Sequence, residues 1–194
     1  MPRVVAGTAR GIPLKTLAGE ATRPTSDRAK EAVFSSLGQR VLDTEVLDLC
    51  AGSGQLGIEA LSRGAASAVF VDQSRAACGV IRENLAKTAL SAAGEIRCQE
   101  VLGAARSLLA AGRTFDLIFF DPPYAAAEKL LPSLAQLLEE GLLNRDGILV
   151  TEQASRGFSP PQGLKLQCFK RCQYGAAMVS FYNKATAEKE DLTY

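Results

Sequence analysis

The stretch that decides the fold is residues 46–57, which run Val46-Leu47-Asp48-Leu49-Cys50-Ala51-Gly52-Ser53-Gly54-Gln55-Leu56-Gly57. An apolar run leads into a glycine turn and then into helical spacing, so the pattern predicts a strand, a tight turn and a helix. Gly52 and Gly54 allow backbone torsions that a Cβ forbids, and the start of the helix offers free N–H groups. The stretch therefore indicates a ligand site on the first βα turn of a wound α/β sheet.

The same alternation continues towards the C-terminus. Strands are predicted over 46–50, 68–71, 95–98, 115–120 and 147–152, and helices over 55–63, 74–90, 103–111 and 127–140, with Ser74 as an N-cap. Further on, 164–171 and 176–183 are predicted to form an antiparallel hairpin. The predicted fold class is α/β: a Rossmann-like, mixed but mostly parallel seven-stranded sheet with helices on both faces.

The N-terminal region is predicted to be an extension of this sheet domain. Segments 3–6 and 12–14 suggest a short hairpin, and 27–37 a helix capped by Ser26. With 194 residues, 47% of them hydrophobic, the chain has the size of one globular unit. We expect residues 1–42 to pack as an extension on a catalytic domain of residues 43–184, followed by a tail of residues 185–194.

The composition excludes several function classes. The chain has no histidine, which removes Ser-His and Cys-His catalysis and the common zinc hydrolase motifs. Its five cysteines form no C-x-x-C pair, so neither a disulfide framework nor a metal is expected. No apolar run resembles a signal peptide or a membrane span, so a cytoplasmic location is expected.

Charge is distributed unevenly along the chain. Residues 1–40 carry seven Lys/Arg against three Asp/Glu, and residues 153–187 carry five against none. Two basic flanks around an acidic middle would attract a polyanion such as a nucleic acid.

An acidic residue, Asp72, ends the second predicted strand and is placed to bind a ribose diol. A glycine turn with such a residue fits both a nicotinamide cofactor and S-adenosylmethionine. The form Asp-Leu-Cys-Ala-Gly-Ser-Gly resembles motif I of class I methyltransferases, which favours S-adenosylmethionine. The resemblance implies that Asp48 anchors the methionine part and that Glu100 lies near the adenine, although Asp is commoner there and Phe is frequent where this chain has Cys50. The expected cofactor-binding residues are Asp48, Ala51, Gly52, Ser53, Gly54, Asp72, Gln73, Glu100 and Val101.

The predicted catalytic loop, Asp121-Pro122-Pro123-Tyr124, directly follows the fourth strand. Two prolines stiffen the loop and remove two donors, which leaves carbonyls that only accept hydrogen bonds. If Asp121 and the Pro122 carbonyl accept the protons of an exocyclic base amine, its lone pair becomes available for attack, and Tyr124 can stack on the base. The loop is similar to motif IV of amino-methyltransferases, and by itself it leaves adenine N6 and guanine N2 as equal alternatives.

A wider resemblance separates the two bases. Arg3-Val4-Val5-Ala6-Gly7, the run from Thr22 through Arg23-Pro24-Thr25 to Phe34, and Leu61-Ser62-Arg63-Gly64-Ala65 resemble the RsmD-type bacterial family that methylates guanine N2 in 16S ribosomal RNA. The resemblance extends from Arg3 to about Tyr182 and includes Arg171-Gln173-Tyr174-Gly175.

The resemblance implies methylation of guanine 966 of 16S RNA, in the 30S subunit or its assembly intermediate, by a protein that is expected to be a monomer. It places Arg23, Pro24 and Thr25 over the pocket, and basic residues of the same region are candidate phosphate contacts: Arg10, Arg28 and Lys30. Three alternatives stay open: an N6-adenine methyltransferase, a catalytically silent RNA-binding protein, and a nicotinamide oxidoreductase based on Gly52, Gly54 and Gly57.

Overall fold

The computed structural model describes residues 2–17, 27–154, 166–174 and 177–184. Seven strands form one sheet: β1 Glu45–Leu49, β2 Ser67–Asp72, β3 Gly94–Cys98, β4 Phe115–Phe120, β5 Leu143–Ala154, β6 Leu166–Tyr174 and β7 Ala177–Lys184. The α-helices are α1 Asp27–Leu37, α2 Gln55–Ser62, α3 Arg75–Lys87, α4 Val101–Ala110 and α5 Tyr124–Leu137, and a π-helical turn, Leu138–Leu142, extends α5.

The strand order is β3-β2-β1-β4-β5-β7-β6. Strands β1 to β5 pair in parallel, and β7 runs antiparallel to both β5 and β6. The mixed sheet and the C-terminal hairpin are therefore confirmed. A helix joins each of the consecutive parallel pairs β1–β2, β2–β3 and β4–β5, and α4 connects β3 at the sheet edge to β4 beside β1.

The sheet has an apolar layer on each face. One contains Phe34 of α1, Ile58 of α2 and Ile81 of α3, and the other contains Leu108 of α4 and Leu134 of α5. The N-terminal extension belongs to the first layer, since Val4, Leu14 and Phe34 are buried there and the ring of Phe34 lies 5.7 Å from that of Phe119. Helices cover both faces, as the sequence predicts.

Among the elements whose boundaries differ from the prediction are α4, α5 and β5. Helix α4 begins at Val101 rather than at residue 103, because the Glu100 side chain caps it. Helix α5 begins at Tyr124 rather than at residue 127, because the Pro123 carbonyl accepts the N–H of Ala126 at 2.8 Å. Strand β5 begins at residue 143, ahead of a register shift, and its regular ladder with β4 starts at Ile148, close to the predicted start at 147.

The predicted hairpin over 3–6 and 12–14 is present but shorter than predicted. Arg3 and Pro13 form an antiparallel bridge, in which the N–H of Val4 donates to the carbonyl of Ile12 at 3.0 Å and the N–H of Leu14 to the carbonyl of Pro2 at 2.8 Å. The N–H groups of Val5 and Ala6 donate instead to a buried carboxylate on α2. At these two residues that contact takes the place of further hairpin pairing.

Ser74 caps α3 as predicted, its hydroxyl accepting the N–H of Ala77 at 3.3 Å. The predicted cap Ser26 and the tail of residues 185–194 lie outside the described residues. Within the described part of the chain, no helix has the length and apolar character needed to cross a membrane.

Candidate active site

The glycine turn and the Asp121 loop lie side by side at the carboxyl edge of the sheet. Leu49, the last residue of β1, pairs with Phe120, the last residue of β4, so the two loops start next to each other. The helices that follow, α2 and α5, pack on opposite faces. A crevice opens where neighbouring parallel strands send their connections to opposite faces, and ligands of open α/β sheets bind there.

Three glycines shape the wall of this crevice in different ways. Gly52, at φ +56°, has no atom within 4 Å of the position of a Cβ, so its backbone is open to a ligand. Gly54, at φ +76°, is the left-handed N-cap of α2. Gly57 lies against β2, where a Cβ would stand 2.3 Å from the ring of Phe70. Gly57 therefore serves helix packing rather than contact with a ligand.

The predicted ribose-binding residue Asp72 also holds the glycine turn. Its carboxylate accepts the N–H of Gly52 at 2.9 Å and, with its other oxygen, the N–H of Ser74 at 2.9 Å. The ends of β1 and β2 are therefore fixed to each other, and the half-buried carboxylate lies at the crevice. Ala51 and Ser53 are buried beside it, and Gln73 is exposed.

Asp48 is buried beneath the turn, with 2% of its surface exposed. Its carboxylate accepts the N–H of Gly57 at 2.9 Å. Burial raises the pKa of Asp48 to about 7; the bond from Gly57 opposes this shift and the charge of Asp72 adds to it. A cation bound nearby would favour the ionised form of Asp48.

Cys50 marks the point at which acidic side chains converge. It adopts φ +61°, a backbone conformation rare for a residue with a side chain and frequent at functional sites. Burial raises the pKa of its thiol to about 12, and four carboxylates add to this effect: Asp72, Asp121, Asp48 and Glu100. These side chains come from the ends of four different strands. Their combined negative field suits a positively charged ligand such as a sulfonium.

Glu100 has a structural role that the sequence did not reveal. Its two carboxylate oxygens accept the N–H groups of Leu102 at 3.0 Å and Gly103 at 2.9 Å, so the side chain caps α4. It is exposed, while its predicted partner Val101 is buried. A contact between Glu100 and the adenine remains a prediction. Such a contact would compete with the hydrogen bonds that the carboxylate makes to the start of α4.

In the predicted catalytic loop, Asp121 is half-buried, Pro122 is buried and Pro123 is exposed. The carbonyl of Pro123 accepts the N–H groups of Ala126 and Ala127 at 2.8 and 3.2 Å, which begins α5. Tyr124 is the first residue of that helix. The helix fixes the backbone of the loop beside the glycine turn.

The predicted phosphate contacts have different outcomes. Arg10 is exposed and available to a polyanion. Lys30 is wrong as a phosphate contact: its side chain is fully buried, donates to the carbonyl of Arg3 and lies 3.9 Å from Glu59. Arg23, Pro24 and Thr25, together with the side chain of Arg28, lie outside the described residues.

Two buried polar residues near the site were missed by sequence reasoning. Glu59 on α2 accepts the N–H groups of Val5 and Ala6, and Asn84 on α3 contacts both the N-terminal segment and Ser53. Both are fully buried, and both helices pack on the sheet. A polar residue at a core-facing position of an amphipathic helix was the available signal.

Known proteins resemble the chain over nearly its full length. The family model described as Conserved hypothetical protein 95 matches residues 2–183. The YlbH protein of Bacillus subtilis (strain 168) is 37% identical over 186 residues, which are 94% of this chain and 98% of YlbH. Ribosomal RNA small subunit methyltransferase D of Escherichia coli (strain K12) is 37% identical over 152 residues, 77% of this chain and 73% of the relative.

Solved structures agree with these relatives. The yhhF protein of Escherichia coli has a TM-score of 0.80 at 28% identity, covering 94% of this chain and 97% of its own. A hypothetical protein of Thermus thermophilus has a TM-score of 0.80 at 30% identity, covering 94% of this chain and 99% of its own. The predicted fold class and the predicted family are thereby confirmed. The chain belongs to the RsmD family of class I methyltransferases and uses S-adenosylmethionine as its methyl donor.

Proposed function

We propose that this protein methylates the exocyclic N2 amine of a guanine in 16S ribosomal RNA, at position 966. The observation that carries the proposal is the pairing of Leu49 with Phe120, which sets the Asp121 loop beside the glycine turn. A relative that is 37% identical over 152 residues is named as a methyltransferase of small-subunit ribosomal RNA. The family resemblance, rather than the loop, selects guanine over adenine.

The chemistry requires an activated amine. The lone pair of an exocyclic amine is delocalised into the base, so the free amine is a weak nucleophile. Acceptance of its two N–H groups by the Asp121 carboxylate and the Pro122 carbonyl would localise the lone pair on nitrogen and aim it. When bound, S-adenosylmethionine supplies a methyl group on a positively charged sulfur.

The surplus proton of the methylated amine passes to Asp121 or to water, so the reaction needs no imidazole, consistent with a chain that has no histidine. Asp48 and Asp72 hold the glycine turn in place through the N–H groups of Gly57 and Gly52. The carboxylates around Cys50 favour a cationic cofactor over its neutral product, which would assist product release.

Recognition of the base requires that it leave its stack. Tyr124 would provide an aromatic platform for an extruded guanine, and a loop or single-stranded guanine is reached at the lowest cost. Phosphate contacts are assigned to Arg10, Arg23 and Arg28, with Pro24 and Thr25 at the pocket. We place the protein in the cytoplasm as a monomer that acts on the 30S subunit or its assembly intermediate.

The test uses purified protein, labelled S-adenosylmethionine and 30S particles that lack the methyl mark. We expect label on one guanine of 16S RNA, located by mass mapping, and a transfer rate that falls as salt increases. Asp121→Ala should lower the rate by at least about 100-fold while the affinity for S-adenosylhomocysteine changes little. The exposed residue Asp146 offers a control in Asp146→Ala.

Other results would identify the alternatives. Methylation of adenine in duplex DNA, without label on 30S particles, would show an N6-adenine enzyme. Binding of RNA without transfer to any base would show a silent binding protein. Equal transfer by wild type and Asp121→Ala would remove Asp121 from the mechanism.

A further inference from the structure

Asn84 lies on α3, outside the motifs that define the methyltransferase site, and it is fully buried. Its side chain reaches two segments that are far apart in the chain. Oδ1 accepts the N–H of Lys15 at 2.8 Å, and Nδ2 donates to the carbonyl of Lys15 at 3.0 Å. Nδ2 also donates to the carbonyl of Ser53 at 2.9 Å. One amide group therefore joins the N-terminal segment, residues 2–17, to the glycine turn.

The geometry makes the link specific for a carboxamide. A single side chain binds both backbone groups of Lys15, as a neighbouring strand would, and uses its second amide hydrogen for Ser53. In this buried position, loss of the amide leaves two carbonyls and one N–H without these partners. A carboxylate has no hydrogen to donate to either carbonyl.

The other anchors of the N-terminal segment do not touch the glycine turn. Glu59 accepts the N–H groups of Val5 and Ala6, and the Ser62 hydroxyl accepts the N–H of Ala9 at 2.9 Å. Both side chains belong to the body of α2. Among these side-chain anchors of the described residues, Asn84 is thus the place where the segment meets the turn that receives the cofactor.

We propose that Asn84 is a positioning residue that couples occupancy of the glycine turn to the placement of the N-terminal segment. A bound cofactor restricts the motion of the Ser53 peptide. Through its hydrogen bonds to Ser53 and Lys15, Asn84 then restricts the motion of Lys15 as well. The segment carries the exposed Arg10, so the coupling would present it to RNA in the cofactor-bound enzyme. This inference deepens the proposed function and rests on it for the role of RNA, but the coupling itself requires only that the cofactor binds the turn.

Hydrogen exchange read by mass spectrometry tests the coupling in the full-length protein. In wild type, S-adenosylhomocysteine should slow exchange in peptides from residues 48–57 and also in peptides from residues 4–17. In Asn84→Ala, at concentrations that saturate the variant, the response of residues 48–57 should remain and that of residues 4–17 should disappear. A purely structural role would raise exchange in both regions without removing the response to ligand from one of them.

Thr88→Val is the matched control. Thr88 is the buried C-cap of α3, one turn beyond Asn84, and its hydroxyl donates to the carbonyls of Asn84 and Leu85 at 2.8 and 3.2 Å. This variant should retain both responses. If Asn84→Ala does not fold, Asn84→Asp keeps the acceptor for the N–H of Lys15 but cannot donate when ionised, and the same loss is expected of it at pH 8.

Kinetics give a second readout. With 30S substrate, Asn84→Ala should raise the KM for RNA at least about tenfold, against less than about threefold for the KM of S-adenosylmethionine, and Thr88→Val should change neither by more than about threefold. The coupling is overturned if the ligand does not change hydrogen exchange in residues 4–17 of wild type. It is also overturned if Asn84→Ala keeps, or loses, the exchange responses of residues 48–57 and residues 4–17 together. Failure of wild type to methylate 30S particles would instead reject the proposed function, because the exchange result does not depend on RNA.

Discussion

The Asp48 carboxylate accepts the N–H of Gly57 at 2.9 Å, which ties the end of β1 to the first turn of α2 beneath the glycine turn. This bond satisfies a free N–H of the helix start with a side chain from the adjacent strand. It also places a carboxylate where burial opposes its charge. The rigidity of the cofactor turn therefore comes with a cost in stability that depends on pH.

Asp48→Asn should stabilise the unliganded protein at neutral pH. The pKa of Asp48 is raised from 3.8 to about 7 in the fold, so its contribution to wild-type stability is full below pH 3.8 and is lost as pH rises through about 7. Relative to wild type, the free energy of unfolding of the variant should rise between pH 4 and 7 by up to about 4 kcal/mol, and the difference should stay constant above pH 7. Urea unfolding at pH 5, 6, 7 and 8 measures the difference, with the exposed Asp146→Asn as a control. A difference independent of pH would contradict the assignment.

Glu59→Ala should destabilise the protein far more than a matched surface change. Glu59 is fully buried, accepts the N–H groups of Val5 and Ala6 and pairs with Arg63 at 2.7 Å. The substitution removes the carboxylate that these donors and the buried Lys30 contact. We expect the free energy of unfolding to fall by about 3–5 kcal/mol and Tm by roughly 10 °C.

Glu83→Ala provides the comparison, because the pair of Glu83 with Lys15 is exposed and worth at most about 1 kcal/mol. Calorimetry of both variants measures the contrast. Equal shifts in Tm would show that the buried carboxylate is not a significant anchor of the N-terminal segment.

Gly57→Ala and Gly79→Ala should change the stability of the protein in opposite directions. A Cβ at Gly57 would stand 2.3 Å from the ring of Phe70, so α2 or the ring must move, at a cost of about 1–3 kcal/mol. Gly79, inside α3, has no atom within 4 Å of its Cβ position, and alanine there should stabilise by about 0.5–1 kcal/mol. Chemical denaturation measures both. Destabilisation by Gly79→Ala would contradict the packing described for α3.

Cys50 should resist alkylation. With the pKa of its thiol raised to about 12, about one molecule in ten thousand carries the reactive thiolate at pH 8. Cys98 is exposed, so iodoacetamide should modify it at least about tenfold faster, as measured by peptide mass spectrometry over time. Faster labelling of Cys50 would show that the carboxylates do not surround it as described.

The sequence by itself determined the wound sheet and the two loops at its carboxyl edge. Strands β1 to β5 and the helices between them follow from hydrophobic periodicity, which acts over short stretches of chain. The glycine turn and the Asp121 loop follow each from its own local residues. The positions of Asp48 and Asp72 were predictable because Asp48 lies one residue before the end of β1 and Asp72 ends β2, and the limits of both strands are clear in the sequence.

The tertiary structure decided what the polar residues outside those motifs contact. Lys30 looks like a surface cation in a helix, but Glu59 and the carbonyl of Arg3 bind it in the core. Val5 and Ala6 donate their N–H groups to that same carboxylate rather than to a hairpin partner. Asn84 joins Lys15, 69 residues away in the chain, to Ser53, 31 residues away. Such pairings depend on the packing of distant helices, and a buried polar group takes whichever partner the fold brings within reach, which no local pattern encodes.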